Sequence, residues 1–216
     1  MGVIYKEYPG FLTKEQCKEL INYFTDPNRA AQGKMVLKRA EVDDNVNGGS
    51  KQDPSRKAEL LFFKRDGAVS KKYGLAKLCN HINSDFGNQA IYNVKNLEGW
   101  QFIKYDVGGE YIPHHDFDVD LNNRHNKIRL AISGGLRLKS IIIYLNDDFE
   151  GGHTFFKHLD ISIKPKTGMM LFFKYDSKYR HQNFRTLHAG LPVESGTKYI
   201  ISAFIREGSE IDWQPI

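Results

Sequence analysis

The sequence predicts a mainly β protein with flanking helices, its core a β jelly roll. Three observations carry that expectation. After about residue 98, short β-rich runs recur, separated by Gly, Asn, Asp and Pro: WQFIKY, EYIPHHDF, RLKSIIIYL, GHTFF, DISIK, GMMLFF and KYIISAFI. Before that point, apolar residues twice fall at helical spacing. A chain of 216 residues with 40% hydrophobic content is also long enough to bury one sizeable core. The chain therefore reads as a single domain over 1–216. Residues 1–98 form its helical and loop-bearing support and 99–206 its β core, with the helices packed outside the sheets.

The elements follow in order. VIYKEY, residues 3–8, alternates loosely as a strand and is closed by Pro9-Gly10. Thr13 and Gln16 form a capping box, with Leu12 and Cys17 placed for a hydrophobic staple. Cys17, Leu20, Ile21 and Phe24 then set an amphipathic helix over 14–24. Residues 43–57, DDNVNGGSKQDPSRK, hold almost nothing apolar and read as a mobile loop. A second helix is expected at about 69–86, with Leu75, Leu78, Cys79, Ile82 and Phe86 on one face. Val119–Asn126 is the largest polar interruption in the β half and reads as a loop.

Composition excludes several function classes. No apolar run approaches the roughly 18 residues of a membrane span, and GVIYKEYPGF after Met1 has no secretory h-region. Cys17 and Cys79 do not resemble a disulfide framework, and as buried thiols they suit a reducing, cytoplasmic setting. A formal charge of +5 permits an acidic partner, but the basic residues are scattered and solubility explains them equally well. The aromatic strands read as core and not as a base-stacking surface, so nucleic acid is not an expected partner.

Chemistry concentrates in YDVGGEYIPHHD, Tyr105 to Asp116. In a strand, His114 and Asp116 point the same way roughly 6.5 Å apart and can share one metal ion, while His115 faces away. A second histidine would complete the two-His-one-carboxylate face that suits non-haem Fe(II) and leaves positions open for ligands. His188, in RTLHAGLPV, is the candidate. Ten positions on, Lys198 opens KYIISAFI, and a hairpin turning at Ser195-Gly196 would aim it into the same cavity. A lysine heading an apolar strand needs an anion, and a dicarboxylate chelating the metal at its other end would supply one. Set against this, an isolated His114/Asp116 pair could be a hydrogen-bonded surface pair. Asp116 to Asn122 superficially resembles a calcium loop, but Leu121 and Lys127 stand where glycine and the bidentate glutamate are needed.

The ordered set Tyr105, Tyr111, His114, Asp116, then LND-x-x-x-GG-x-T-x-F over Leu145–Phe156, Pro165-x-x-Gly168, His188 and Lys198 resembles the 2-oxoglutarate- and Fe(II)-dependent dioxygenases. Within them it is most similar to the prolyl 4-hydroxylase catalytic domain. The resemblance spans about residues 100–206 and implies a double-stranded β-helix with iron held by His114, Asp116 and His188. It implies that Lys198, with the hydroxyls of Tyr105 and Thr154, binds the distal carboxylate of 2-oxoglutarate. Tyr111 and Arg137 match positions lining a peptide groove, as does Phe204 where the family usually has tryptophan. Read from the residues alone, Tyr111 could instead pack in the core and Arg137 could be a solvated strand-end charge. The loop at 43–57 would match a flap over substrate. The implied activity is hydroxylation of peptidyl proline at C4 with release of succinate and CO2, using Fe(II), 2-oxoglutarate, O2 and ascorbate. The same chemistry on a free amino acid, another side chain or a nucleic acid base is the alternative. A metal-binding jelly roll without catalysis is a further one.

Overall fold

A computed structural model of the chain describes residues 5–33, 35–43, 50–75, 97–116, 135, 137–174 and 184–206. Its first part holds β1 (Tyr5–Tyr8), α1 (Lys14–Thr25), α2 (Pro27–Ala31), β2 (Lys38–Arg39), β3 (Glu41–Asp43), β4 (Ser50–Gln52), β5 (Glu59–Phe63) and α3 (Ala68–Lys72). There follow β6 (Trp100–Tyr105), β7 (Tyr111–His114), β8 (Arg137–Tyr144), β9 (Glu150–Gly151), β10 (Thr154–Phe156) and β11 (Ile161–Ile163). The last strands are β12 (Met170–Lys174), β13 (His188–Gly190), β14 (Val193–Ser195) and β15 (Lys198–Arg206).

Two antiparallel sheets make the core, as the jelly-roll expectation requires. Seven strands run in the order β1-β12-β8-β15-β6-β5-β2, and four in the order β11-β10-β13-β7. Alternation along the central strands sorts side chains onto two faces. On β6, Trp100 and Phe102 pack with Cys17, Leu20 and Phe24 of α1, whereas Ile103 and Tyr105 pack with Phe156, Phe173 and Ile200. The larger sheet is thus covered by helix on one side and faces the site on the other.

α1 begins as the sequence dictates. Thr13 Oγ1 accepts from the Gln16 amide at 3.1 Å, and Gln16 Oε1 accepts from the Thr13 amide at 2.9 Å. Leu12 and Cys17 lie in the same buried cluster. Burial pushes the Cys17 thiol up to about 11.

Three expectations change. The polar stretch at 43–57 is not a plain loop: β3 and β4 pair as a hairpin, with Glu41 opposite Gln52. Residues 53–57 are then fastened to the strand that carries His114. The Ile112 amide donates to Ser55 O at 2.9 Å and the Lys57 amide to Glu110 O at 2.8 Å. Second, ELLFF forms β5 and joins the large sheet beside β6, so the N-terminal region contributes strands to that sheet as well as helices. Third, no hairpin joins His188 to Lys198: β13 pairs with β10 and β7, β14 pairs with β9, and β15 pairs with β6 and β8. The turn at Ser195-Gly196 therefore carries the chain from the two-stranded β9–β14 ladder into the seven-stranded sheet. The second helix is described only as α3 and the turn after it. Leu78, Cys79, Ile82, Phe86 and the loop at 119–126 lie outside the described residues.

The helix and the sheet meet at Gly168. The Leu12 amide donates to Gly168 O at 3.1 Å and the Gly168 amide to Tyr144 O at 2.8 Å. Gly168 has φ +79, and a Cβ there would stand 2.0 Å from Leu12 O. Both the backbone region and the contact exclude a side chain. Gly168→Ala is therefore expected to destabilise the fold by about 2–4 kcal/mol, read as a lowered urea midpoint at unchanged slope.

Candidate metal centre

His114 ends β7 and His188 opens β13, and the two residues are direct cross-strand partners. Asp116 lies just past the end of β7, so a bend, not a continued pleat, returns its carboxylate to the histidines. Asp116 Oδ1 is 3.2 Å from His114 Nε2, and Oδ2 is 3.7 Å from His188 Nε2. One ligand atom from each residue lies within 4.8 Å of the others. The expected triad is therefore brought together.

The donor set fits a divalent ion. His114 Nδ1 faces Ile112 O and His188 Nδ1 faces Thr186 O, each at 2.9 Å. A carbonyl can only accept, so Nδ1 carries the proton on both rings and each Nε2 lone pair is left toward the centre. Burial holds His188 below its ordinary imidazole value against the pull of Asp116, which keeps the ring neutral. Burial alone would raise the Asp116 carboxyl. Whenever they are protonated, the His188 and His114 rings outweigh it, joined by the Ser140 hydroxyl, and hold the group well below the usual carboxylate range; a divalent ion at the same place would act in the same sense. Two imidazoles, each able to offer an Nε2 lone pair, and a carboxylate are the pattern that suits non-haem Fe(II).

Lys198, which opens β15, is buried at 4% exposure. It is the cross-strand neighbour of Tyr105, and its Nζ lies 5.3 Å from that ring and 5.8 Å from Tyr144. Nζ donates to Gly152 O at 2.6 Å. Gly152, with φ +62, lets the backbone come this close, since a Cβ would stand 3.2 Å from Lys198 Cδ. Among the described residues no carboxylate pairs with the ammonium. Thr154 is buried nearby in the chain's GGHTFF run, its Oγ1 2.7 Å from the Tyr144 hydroxyl. Tyr105, Thr154 and Lys198 are thus three buried residues with polar ends, Lys198 beside the rings of Tyr105 and Tyr144 and Thr154 bonded to the Tyr144 hydroxyl.

The three residues expected at a peptide groove are tied to the triad by contact. The Tyr111 ring stacks on His114, centroids 3.5 Å apart and planes 16° apart. Arg137 pairs with both Glu98 oxygens, at 2.7 and 3.0 Å, and its Nη1 donates to Asp116 O at 3.1 Å. Its guanidinium lies 3.7 Å from the Phe204 ring centre. His115 is half-buried beside the pair.

Sequence reasoning missed Ser140, Tyr144, Glu98 and Arg56. Ser140 carried a usable signal: it is the small polar residue that heads the apolar run IIIYL, on the same pleat face as Ile142 and Tyr144. Glu98 and Arg56 had none, because each acts through a partner distant in the chain. Arg56 crosses to Tyr111 in an isolated antiparallel bridge.

Burial pushes Lys198 down to about 7, with the charge of Arg56 adding to the effect. The unfolded chain binds the extra proton between about pH 7 and about 10.4, so stability from this group rises with pH across that window. Its cost is fully present below pH 7. Without ligand, Lys198→Met is expected to be more stable than the parent near pH 7 by about 1–3 kcal/mol, and the advantage to shrink by pH 9. Urea unfolding of both proteins at the two pH values checks this.

Residues 100–206 match the family profile of the 2OG-Fe(II) oxygenase superfamily. Prolyl 4-hydroxylase 2 of Arabidopsis thaliana is 27% identical over 94% of this chain and 67% of its own length. The viral collagen prolyl hydroxylase vCPH of Paramecium Bursaria Chlorella virus-1, solved as a 2OG complex, superposes with a TM-score of 0.68 at 28% identity, covering 94% of this chain and 96% of that one. A prolyl hydroxylase from Trichoplax adhaerens, solved with a hypoxia inducible factor oxygen degradation domain peptide, shares the fold at 19% identity. Its TM-score is 0.63, over 94% of this chain and 83% of that one. The two-sheet core, the His-Asp-His site and these likenesses agree: the chain belongs to the 2OG-Fe(II) oxygenase superfamily and is prolyl 4-hydroxylase-like.

Proposed function

We propose that this chain is a prolyl 4-hydroxylase acting on proline in a peptide or protein, with Fe(II), 2-oxoglutarate and O2. The observation that carries the reading is the pairing of a metal-competent triad with a separate buried lysine that lacks a carboxylate partner among the described residues. A metal-binding jelly roll without catalysis has no use for that second anchor. Likeness to enzymes named as prolyl hydroxylases across nearly the whole chain supports proline over a free amino acid or a base.

With iron and 2-oxoglutarate bound, the centre supplies the oxidising power that turns a C–H bond into C–OH while 2-oxoglutarate leaves as succinate and CO2. In this reading the chain's own residues position and shield. His114, Asp116 and His188 hold one face of the ion, and Ser140 fixes the Asp116 carboxylate by donating to Oδ2. Lys198 pairs with the far carboxylate of 2-oxoglutarate, assisted by the hydroxyls of Tyr105 and Thr154. Phe156 and Phe173 pack against the His188 ring and keep water from it. Tyr111, Arg137 and Phe204 form the side from which peptide approaches, Arg137 also steadying the Asp116 backbone.

The whole of 1–216 acts as one catalytic domain in this proposal, with ascorbate as the reductant that restores idle enzyme. A reducing, cytoplasmic setting belongs to it too, and what supports that setting is Cys17, a buried free thiol.

The test is turnover with a library of proline-containing peptides. Succinate release should rise with a productive peptide, and mass spectrometry should find one added oxygen on a proline. Oxygen on another residue, or no coupling to peptide, would remove proline as the substrate. Alanine at His114, Asp116 or His188 should abolish turnover. Lys198→Ala should weaken 2-oxoglutarate binding by at least about tenfold with metal binding intact, and Lys198→Arg should recover only part, since a planar fork does not fill the space of an ammonium.

A further inference from the structure

Tyr111 and His114 would not meet on a regular strand, because residues three apart point to opposite faces. Their rings nonetheless stack, with centroids 3.5 Å apart and planes 16° apart. The cause lies in the pairing of β7 with β13. His188 stands opposite His114 and Gly190 opposite Tyr111, so two steps along β13 match three along β7. The extra residue breaks the alternation, as a β-bulge does, and brings Tyr111 round to the face that carries His114.

The bulge permits the stack, and a neighbour has to hold it. On β13 the partner of Tyr111 is Gly190, which has no side chain to pack against the ring. On the other flank of β7 its partner is Arg56, in an isolated antiparallel bridge. The bonds from the Ile112 amide to Ser55 O and from the Lys57 amide to Glu110 O lie on either side of that pair. Arg56 and Tyr111 therefore occupy a non-hydrogen-bonded position, where opposing side chains come closest. The guanidinium lies over the Tyr111 ring, 4.9 Å from its centre. His114 covers one face of the ring, so the cation takes the other. Its Nη1 has a long contact, 3.5 Å to Gln101 Oε1, and its Nε is buried without a hydrogen-bond partner. No ion pair among the described residues includes Arg56. The negative face of an aromatic ring attracts such a cation, more strongly where both are withdrawn from water.

We propose that Arg56 is a positioning residue for Tyr111: its guanidinium holds the phenol ring flat on the metal ligand His114. The segment after the β3–β4 hairpin then fixes both the seat of one ligand and the wall beside it. Arg56, Tyr111 and His114 form three layers, and both faces of the phenol are taken. A peptide reaching the metal from that side meets the edge and the hydroxyl of Tyr111, and no proline ring can stack on it. The peptide half of this inference rests on the reading of Tyr111 given above; the stack itself does not.

The experiment is nuclear magnetic resonance on the full-length chain with labelled histidine, at a pH where the imidazoles are neutral. Ring currents displace protons over an aromatic face upfield, and loss of signals in His114→Asn identifies those of His114. Tyr111→Leu sets the full scale by returning the His114 ring protons to their ordinary position. Arg56→Gln should undo most of the displacement. Arg56→Lys should keep most of it, since an ammonium also sits over a ring although it lacks the fork. Combined with Tyr111→Leu, Arg56→Gln should add nothing further, because both changes act through one contact. A second arm measures KM. Arg56→Gln should raise that of a productive peptide severalfold and leave that of 2-oxoglutarate unchanged, and Arg56→Lys should restore the peptide value. Melting temperatures establish folding, and should Arg56→Gln not fold, Arg56→Met, of similar length and uncharged, replaces it. The inference is overturned if Arg56→Gln leaves the His114 signals where the parent has them, or if Arg56→Lys loses the displacement as fully as Arg56→Gln. It also falls if a peptide that is turned over has the same KM with and without the Arg56 cation. If no peptide is turned over, the proline reading fails, and the resonance measurement still decides this one.

Discussion

One register in the smaller sheet governs the site: His188 sits opposite His114. Two strands far apart in the chain each supply an imidazole, and only this pairing sets both rings beside the returning Asp116 carboxylate. A slip of one residue would turn either ring to the other face of its strand, since side chains alternate with a period of two. The pairing is held on both flanks. β10 lies against β13 with Phe156 opposite His188, and residues 53–57 are bonded to β7 from the far side. Thr186 and Ile112 then fix the ring tautomers from the backbone itself. The metal geometry is thus a consequence of sheet pairing, and the larger sheet supplies what surrounds it: Ser140, Lys198, Tyr105 and Phe204.

Much of this was legible in the residues, for identifiable reasons. The strands after residue 98 are buried on at least one face, and burial writes itself as Val, Ile, Phe and Tyr in short runs. The helix at 14–24 announced itself through a reciprocal cap that the structure reproduces atom for atom. The triad and Lys198 were found because metal ligands and a buried cation are chemically conspicuous. The β3–β4 hairpin was not legible, because a short ladder rich in polar residues shows no alternation between apolar and polar. ELLFF was passed over for the opposite reason: too short and too uniformly apolar to be told from a helix fragment, it is a strand because β6 offers it an edge.

The route from His188 to Lys198 shows a different limit. Spacing alone suggests a hairpin, and the spacing is the same whether the chain turns back within one sheet or crosses to another. What decides is the partner available to each strand, and that is a property of the whole fold. Arg56 and Glu98 belong to the same class. Their neighbours in space are tens of residues away in sequence, so no local pattern marks them.

The state of Cys17 has a meaning for an enzyme of this kind. Susceptibility of a thiol to oxidation follows its thiolate character and its exposure. Burial under α1 keeps this thiol protonated far above physiological pH, so almost none of it is in the reactive form. The packing that joins α1 to the large sheet thus keeps the sulfur that cements the core both buried and protonated, the two conditions under which a thiol oxidises slowly.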